Sequence, residues 1–294
     1  MQRLGWTDIP QWDAHDHAAA WAAFAIGAPH PNAPRLNAKG AKLAFEIGFE
    51  PVEVTPAGDA RFTAYYEPEL AAAPSRSAAF PAALYAMPPD LPAPWVPRAD
   101  IVAGDLLAGH EIAYVQSPIE AFLAQVQGSV RLRMQDGVVL RLGYAGKNGQ
   151  PYASIGRELV RRGVAPAAQM TPDAIRIWCA ENPDLVADLL NTNPSFVFFR
   201  VLDLPSGTGP LGAMGLPVTP GRSLAVDPDV IALGSPVWID CPGFGARLMV
   251  AQDVGSAIKG AGRGDIFVGS GPEAGRRAGA INTTGRMIWL RRRT

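Results

Sequence analysis

Hydrophobic and polar positions recur along this chain with two different periods, and the switch between them divides it. Near the N-terminus, Trp12, Ala20, Trp21 and Phe24 fall at helical spacing, so residues 12–26 are expected to form an amphipathic opening helix. Ala41, Leu43, Ala44 and Ile47 predict a second helix over 38–47. The period then shortens to two: RFTAYYEPEL (61–70) alternates as a strand that Pro68 ends. Residues 71–116 are rich in Pro and Ala, hold no period, and read as a long irregular connection. Ser117-Pro118-Ile119-Glu120 is a helix start, with a capping serine, proline at the first position and glutamate at the third. SVRLRMQ (129–135) and VVLRLGY (138–144) alternate on either side of Asp136-Gly137, a strong hairpin signal.

Beyond the hairpin, GYAGKNGQPYASIG (143–156) reads as a polar, glycine-rich loop. Thr171-Pro172-Asp173 starts a helix through about Glu181, and Asn182-Pro183-Asp184 caps another through about Asn191. SFVFFRVLDL (195–204) is an apolar, aromatic strand. From residue 211 onward, short β-runs are cut by Gly and Pro: SLAVDP, SPVWIDC, ARLMVAQDV, DIFVG and RMIWLRR, with one short helix at GPEAGRRAG. Many short strands closed by turns predict a small barrel.

Composition narrows the classes. The 294 residues are 48% hydrophobic and 18% charged, enough for a packed core in one large domain or two ordinary ones. Basic and acidic residues balance at 26 and 27, which argues against nucleic acid or an anionic surface as partner. The two cysteines, Cys179 and Cys241, match no zinc or redox spacing and read as buried free thiols in different lobes, with a disulfide as the alternative. The start, MQRLGWTDIPQWDAHDH, has no signal-peptide character and no early cysteine to lipidate, and no run reaches the ~20 apolar residues that span a bilayer. As written, the chain reads as soluble, or as mature protein without its export signal.

Candidate chemistry gathers between Ala251 and Gly275, where Asp253 and Asp265 stand among closely spaced glycines, with Asp227 upstream. Asp265 sits at the mouth of a strand, sharing a face with Phe267. There a carboxyl would be partly desolvated, stay protonated and act as a general acid; a turn aspartate satisfying loop amides fits the spacing alone better. Asp253 and Asp227 each suit a structural carboxylate or a supporting one, and Lys259 and Arg263 are placed to shift their proton affinities. The three aspartates lack any metal-loop spacing and the four histidines all precede residue 111, so no metal site is expected. No G-x-S-x-G elbow occurs, and Ser256 and Ser270 have no downstream histidine. Thr63, Tyr65 and Tyr66, then Gln127 and Ser129, then Tyr144, Tyr152 and Ser154 combine aromatic faces with polar rims suited to pyranose rings. Core packing is the alternative for the tyrosines.

Taken in order, FTAYYEPEL, QVQGSVRLRMQDG, GYAGKNGQPYASIG, NPSFVFFR, GLPVTPGRSLAVDPDVIALGSPVWI, AQDVGSAIKGAGRGDIFVGSGPEAG and NTTGRMIWL resemble the membrane-bound lytic murein transglycosylase A family, with its C-terminal three-aspartate domain. The resemblance covers nearly the whole chain. It implies a mainly β fold with some helix: a double-psi β-barrel built from residues 1–69 and 207–294, a smaller β-rich glycan-binding domain inserted at 70–206, and a groove between them. It implies cleavage of the β-1,4 bond between N-acetylmuramic acid and N-acetylglucosamine in peptidoglycan, leaving 1,6-anhydromuramic ends. Asp265 matches the catalytic aspartate, Asp253 and Asp227 its two supporting partners, and Lys259 joins the substrate-binding set. No cofactor is implied. The partners implied are peptidoglycan glycan strands, with outer-membrane attachment and envelope-machinery partners in the full precursor, in the periplasm of a bacterium.

Ordinary glycosidases need two carboxylates, whereas attack by the sugar's own C6 hydroxyl lets one serve as acid and then base. A non-catalytic glycan-binding module and a two-carboxylate muramidase, using Asp253 or Glu67 beside Asp265, are the alternatives. The chain departs from the family pattern at Ser256, in place of a second glycine, and in the longer GAGRG stretch before Asp265. Ala64 replaces a common glycine, and Glu67 replaces a common threonine and is expected to add negative charge near the glycan.

Overall fold

The computed structural model describes residues 1–27, 34–56, 58–205 and 207–293. They form two compact units: Met1–Tyr66 with Ser206–Thr294, and Glu67–Pro205.

The first unit begins with strand β1 (Gln2–Arg3), helices α1 (His17–Ile26) and α2 (Ala38–Gly48), and strands β2 (Phe49–Glu53) and β3 (Ala60–Glu67). The opening helix starts at His17, later than its hydrophobic spacing implied. Asp16 stops it: its carboxylate accepts the Ala19 amide at 3.1 Å, fixing the N-cap there. Trp12 lies upstream in a turn, buried, with its indole N–H donated to Glu46. In α2, capped by Asn37, Ala41 and Phe45 face the core, while Leu43 and Ile47 are exposed.

The second unit comprises β4 (Glu69–Ala73), β5 (Ala82–Tyr85), α3 (Arg98–Ala103), β6 (Glu111–Val115), α4 (Pro118–Gln127), β7 (Ser129–Met134), β8 (Val139–Lys147), α5 (Ile155–Arg161), α6 (Pro172–Glu181), α7 (Val186–Asn191) and β9 (Val197–Leu202). Its sheet runs β5-β6-β4-β7-β8-β9, and an isolated bridge from Ala86 to Phe199 links the two ends, giving a barrel-like form. Three strands and a helix therefore occupy much of the stretch expected to be irregular. Alanine-rich β4 carries little strand propensity of its own; parallel pairing to β7 and antiparallel pairing to β6 impose the conformation. The expected glycine-rich loop at 143–156 is confined to residues 148–154. Strand β8 runs on to Lys147, and fully buried Asn148 donates to the Val96 and Pro194 carbonyls and accepts from the Phe196 amide. The helix and hairpin signatures hold: Ser117 caps α4, Gly128 ends it at φ 76°, and Gly137 turns the hairpin at φ 87°. Asn182 instead donates its amide back to Trp178, closing α6.

The chain then returns to the first unit with β10 (Ser223–Ala225), β11 (Pro236–Cys241), β12 (Gly245–Asp253), β13 (Arg263–Ser270), α8 (Gly271–Ala280) and β14 (Asn282–Arg292). Six strands, in the order β14-β11-β12-β10-β13-β3, close on themselves because β14 also pairs with β3. The pairing of β10 with β12 is parallel, and this mainly β, double-psi barrel is the architectural core of the first unit. Alternation fills both faces of the wall. Val237, Ile239, Met249, Ile266 and Met287 point into one cluster, while Trp238, Leu248, Ile288 and Leu290 pack outward against α1, α2 and Trp12. Cys179 and Cys241 are buried free thiols, one in each unit.

His15 pins the N-terminal segment to this outer face. Its Nε2 lies 2.9 Å from Arg222 and 3.2 Å from the Leu248 amide, both donors, so the ring must be neutral with its hydrogen on Nδ1. Burial, then the charge of Arg222, pushes its pKa down to about 4. The unfolded chain therefore takes up a proton first as pH falls, and the stability His15 supplies at neutral pH drains away between about 6.5 and 4. Thermal denaturation should show His15→Leu less stable than wild type by about 1–2 kcal/mol at pH 7.5, with the gap narrowing through that window.

Glu67 does not bring free negative charge. It is 1% exposed and accepts from Arg131 at 2.6 Å and from Arg141 at 3.1 Å, so two guanidinium groups neutralise it. Arg141, itself buried, also donates to the Pro205 carbonyl at 3.1 Å and so ties the first residue of the inserted unit to its last. Glu67→Ala would leave Arg141 buried without its anion, and chemical denaturation should report a loss of about 3–5 kcal/mol.

Candidate active site

Two adjacent barrel strands present a polar row. On β3, Thr63 and Tyr65 share a face; on β13, Arg263, Asp265 and Phe267 share one, because side chains two apart point the same way. The two strands are neighbours in the sheet, which brings the rows together: the Tyr65 ring lies 5.2 Å from that of Phe267, and the Thr63 hydroxyl donates to Asp265 Oδ1. Gly262 lets the strands approach. It sits at φ 68°, a Cβ there would lie 2.5 Å from Thr55 and 3.3 Å from the Ala60 backbone at the start of β3, and its carbonyl accepts the Arg61 amide at 2.7 Å.

Strand β10 sets the second aspartate. Ala225 pairs with Asp265 on one side and with Asp253 on the other, so both carboxylates belong to one row across the sheet with a methyl between them. Two strand spacings separate their backbones, roughly 10 Å.

Their surroundings differ. Asp253 Oδ2 accepts the Tyr65 hydroxyl at 2.7 Å, and Oδ1 accepts the amides of Ala213 at 3.0 Å and Val254 at 2.9 Å. Burial raises its pKa, opposed by those three donors. Burial also raises Asp265, opposed by Thr63 and by the charge of Arg263 and assisted by the charge of Asp253. Among the described residues nothing donates to Asp265 Oδ2. Tyr65 is pushed well above its usual range by burial and then by Asp253, so its phenol remains a donor.

Asp227 stands apart from this pair. Its carboxylate accepts the Gly260 amide at 2.7 Å and Lys259 Nζ at 3.1 Å, and these hold its pKa below the usual range. It fastens the turn between β12 and β13, which carries Lys259 as well. Tyr66 points the other way from Tyr65, against the barrel core and over Gly275 of α8, where a Cβ would meet its ring at 2.9 Å.

The other expected sugar-binding residues all belong to the inserted unit. Gln127 ends α4, and Ser129 opens β7 opposite Gly143, next to Tyr144, which is exposed on β8. Ser154 caps α5 by accepting the Arg157 amide at 3.3 Å, two residues after Tyr152. Arg263, expected only to shift proton affinities, joins the aspartate row through a direct bond to Thr63; its spacing of two from Asp265 was the available signal. Among the described residues no group of acidic, histidine or cysteine side chains could hold a metal ion, and no helix is long and apolar enough to cross a membrane.

A closed barrel with an aspartate pair on its wall and a second β unit inserted after β3 defines a recognisable class. Residues 61–200 match the MltA specific insert domain, and residues 222–291 match the 3D domain. The chain is 39% identical over 249 residues to membrane-bound lytic murein transglycosylase A of Escherichia coli (strain K12), an alignment covering 79% of this chain and 66% of that protein. It thus spans slightly less than two thirds of the length of that relative. The crystal structure of a membrane-bound lytic murein transglycosylase from Agrobacterium tumefaciens superposes with a TM-score of 0.89 at 30% identity, covering 99% of this chain and 97% of that one. Escherichia coli MltA with bound chitohexaose gives 0.75 at 36% identity over 82% and 74%. The chain belongs to the membrane-bound lytic murein transglycosylase A family.

The raised pKa of Asp265 has a stability consequence. The folded chain holds its proton to higher pH than the unfolded chain does, so ionising the carboxyl costs stability as pH rises above the usual carboxylate range. Asp265→Asn keeps an acceptor for Thr63 and removes that cost. Calorimetry should find the variant more stable than wild type at pH 7–8, with the advantage gone below about pH 3.8.

Proposed function

We propose that this chain is a peptidoglycan lytic transglycosylase that cleaves the β-1,4 bond between N-acetylmuramic acid and N-acetylglucosamine. Asp265 is its single acid and then base. The observation that carries the reading is the contrast within one row of the sheet. Asp253 accepts three donors, whereas among the described residues Asp265 has one oxygen that accepts none, and burial holds it toward its protonated form. A protonated carboxyl delivers its hydrogen to the glycosidic oxygen as the C1–O bond breaks. The resulting carboxylate accepts the proton of the muramoyl C6 hydroxyl as that oxygen bonds to C1. The products are a glucosamine end bearing the new hydroxyl and a 1,6-anhydro ring, with no water consumed. The intramolecular hydroxyl supplies the nucleophile at high effective molarity.

A two-carboxylate hydrolase would need a second carboxylate free to act. Asp253 is committed to Tyr65 and two amides, and Glu67 is held by two arginines. Both facts favour the single-acid reading. The names of the relatives support peptidoglycan as the substrate, and the chitohexaose bound to the Escherichia coli protein supports recognition of β-1,4-linked amino sugars. We assign glycan contacts to Tyr65 and Lys259 in the barrel unit and to Gln127, Ser129, Tyr144, Tyr152 and Ser154 in the inserted unit; Tyr66 packs against the barrel core and is left out. Thr63 serves through Asp265. The substrate places the protein in the bacterial envelope, facing the periplasm, and the membrane-bound relatives support attachment there.

Mass spectrometry of muropeptides released from isolated peptidoglycan tests this. Wild type should give products lighter by one water and resistant to borohydride, and Asp265→Asn should bind glycan but release none. Reducible products would point to a hydrolase, and substantial activity in the variant would remove Asp265 from its role.

A further inference from the structure

Arg263 makes an unusual choice of partner. It forms no salt bridge among the described residues, although Asp265 stands two positions away on the same strand face. Its guanidinium donates instead to a neutral hydroxyl, Thr63 Oγ1, at 2.7 Å, and to the Gly264 carbonyl at 2.5 Å. Thr63 in turn reaches Asp265 Oδ1.

A threonine hydroxyl has one hydrogen and two lone pairs. With an Arg263 N–H on one lone pair, Thr63 has a hydrogen to give, and among the described residues Asp265 Oδ1 is the acceptor it meets. A proton on Oδ1 would reverse that bond and leave the hydrogen of Thr63 with no acceptor among those residues. The proton of the acid is thereby directed to Oδ2, the oxygen that receives no other bond.

We propose that Arg263 is a positioning residue that acts through Thr63 to fix which oxygen of Asp265 carries the catalytic proton. The inference rests on the reading of Asp265 as the acid. It extends that reading by naming the atom, Oδ2, and the two side chains that select it. The same cation opposes burial and the charge of Asp253 in setting how firmly Asp265 holds its proton. The charged and titratable groups around Asp265 are Arg263 on its own strand, Asp253 on β12 and Tyr65 on β3, with Arg61 of β3 acting on Arg263. Removing Arg263 or the Thr63 hydroxyl takes away a group that favours the carboxylate, so Asp265 becomes a weaker acid that stays protonated to higher pH.

The test pairs an activity readout with one that needs no activity. Arg263→Met and the near-isosteric Thr63→Val are compared with Arg263→Lys and Thr63→Ser. Rates of release from a purified glycan strand are followed against pH, and the Asp265 carboxyl is titrated by carbon-13 NMR, assigned with Asp265→Asn. Arg263→Met and Thr63→Val should each raise the Asp265 midpoint, move the descending limb of the kcat profile to higher pH and lower kcat at the optimum by about tenfold or more. Thr63→Ser should restore wild-type behaviour, Arg263→Lys should do so in part, and the double variant should shift less than the sum of the singles.

An unchanged Asp265 midpoint and pH profile in a folded Thr63→Val protein, with only thermal stability reduced, would overturn the proposal and leave Arg263 as a fastener of β13. Fully additive shifts would overturn the route through Thr63. Should Asp265→Asn prove active, the reading of Asp265 as acid fails, and the NMR titration still reports whether Arg263 and Thr63 govern its proton.

Discussion

Strand β10, only three residues long, sets the register on which the site depends. It runs parallel to β12 and antiparallel to β13, and its pairing with β12 shifts between Leu224 and Ala225. That shift brings Asp253 opposite the same alanine that meets Asp265. A slip of one position would turn an aspartate from the polar row into the barrel core. Because the pairing holds, two carboxylates in one row experience different chemistry. One accepts from a phenol and two amides, the other, among the described residues, from a single hydroxyl. Separate roles for like residues arise from such differences in environment.

Burial on both faces of the barrel wall keeps that register from drifting. Along β11 the side chains alternate between the interior, with Val237 and Ile239, and the outer layer, with Trp238 packed near Trp12 and His15. The N-terminal helices are therefore part of the barrel's support, since without them Trp238, Leu248, Ile288 and Leu290 would face water. Such packing allows a carboxyl to be kept partly desolvated at a cost that the remainder of the unit offsets.

Much of this was legible in the order of residues, and the exceptions have physical causes. The barrel strands, the hairpin at Asp136-Gly137 and the capped helices after Ser117 and Thr171 were visible because local signals and tertiary structure agree there. Strand alternation also put Asp265 on one face with Phe267, while the partnership of Arg263 with Thr63 needed the neighbouring strand. By contrast, β4 is alanine-rich and becomes a strand through partners that lie tens of residues away. The run around Trp12 mimicked a helix because a buried aromatic satisfied the period without joining the ladder. Asp265 was readable as the candidate acid, whereas the bonding that separates it from Asp253 was not, since that depends on the Ala213 amide forty residues upstream and on Tyr65 far earlier in the chain.

The tie made by Arg141 between Glu67 and Pro205 bears on how the chain assembles. The barrel is interrupted by a long excursion, and closing a disordered loop of that length costs roughly 4 kcal/mol in chain entropy. Once residues 67–205 have folded, their ends are fastened together by one guanidinium, and the barrel meets the excursion as a short turn.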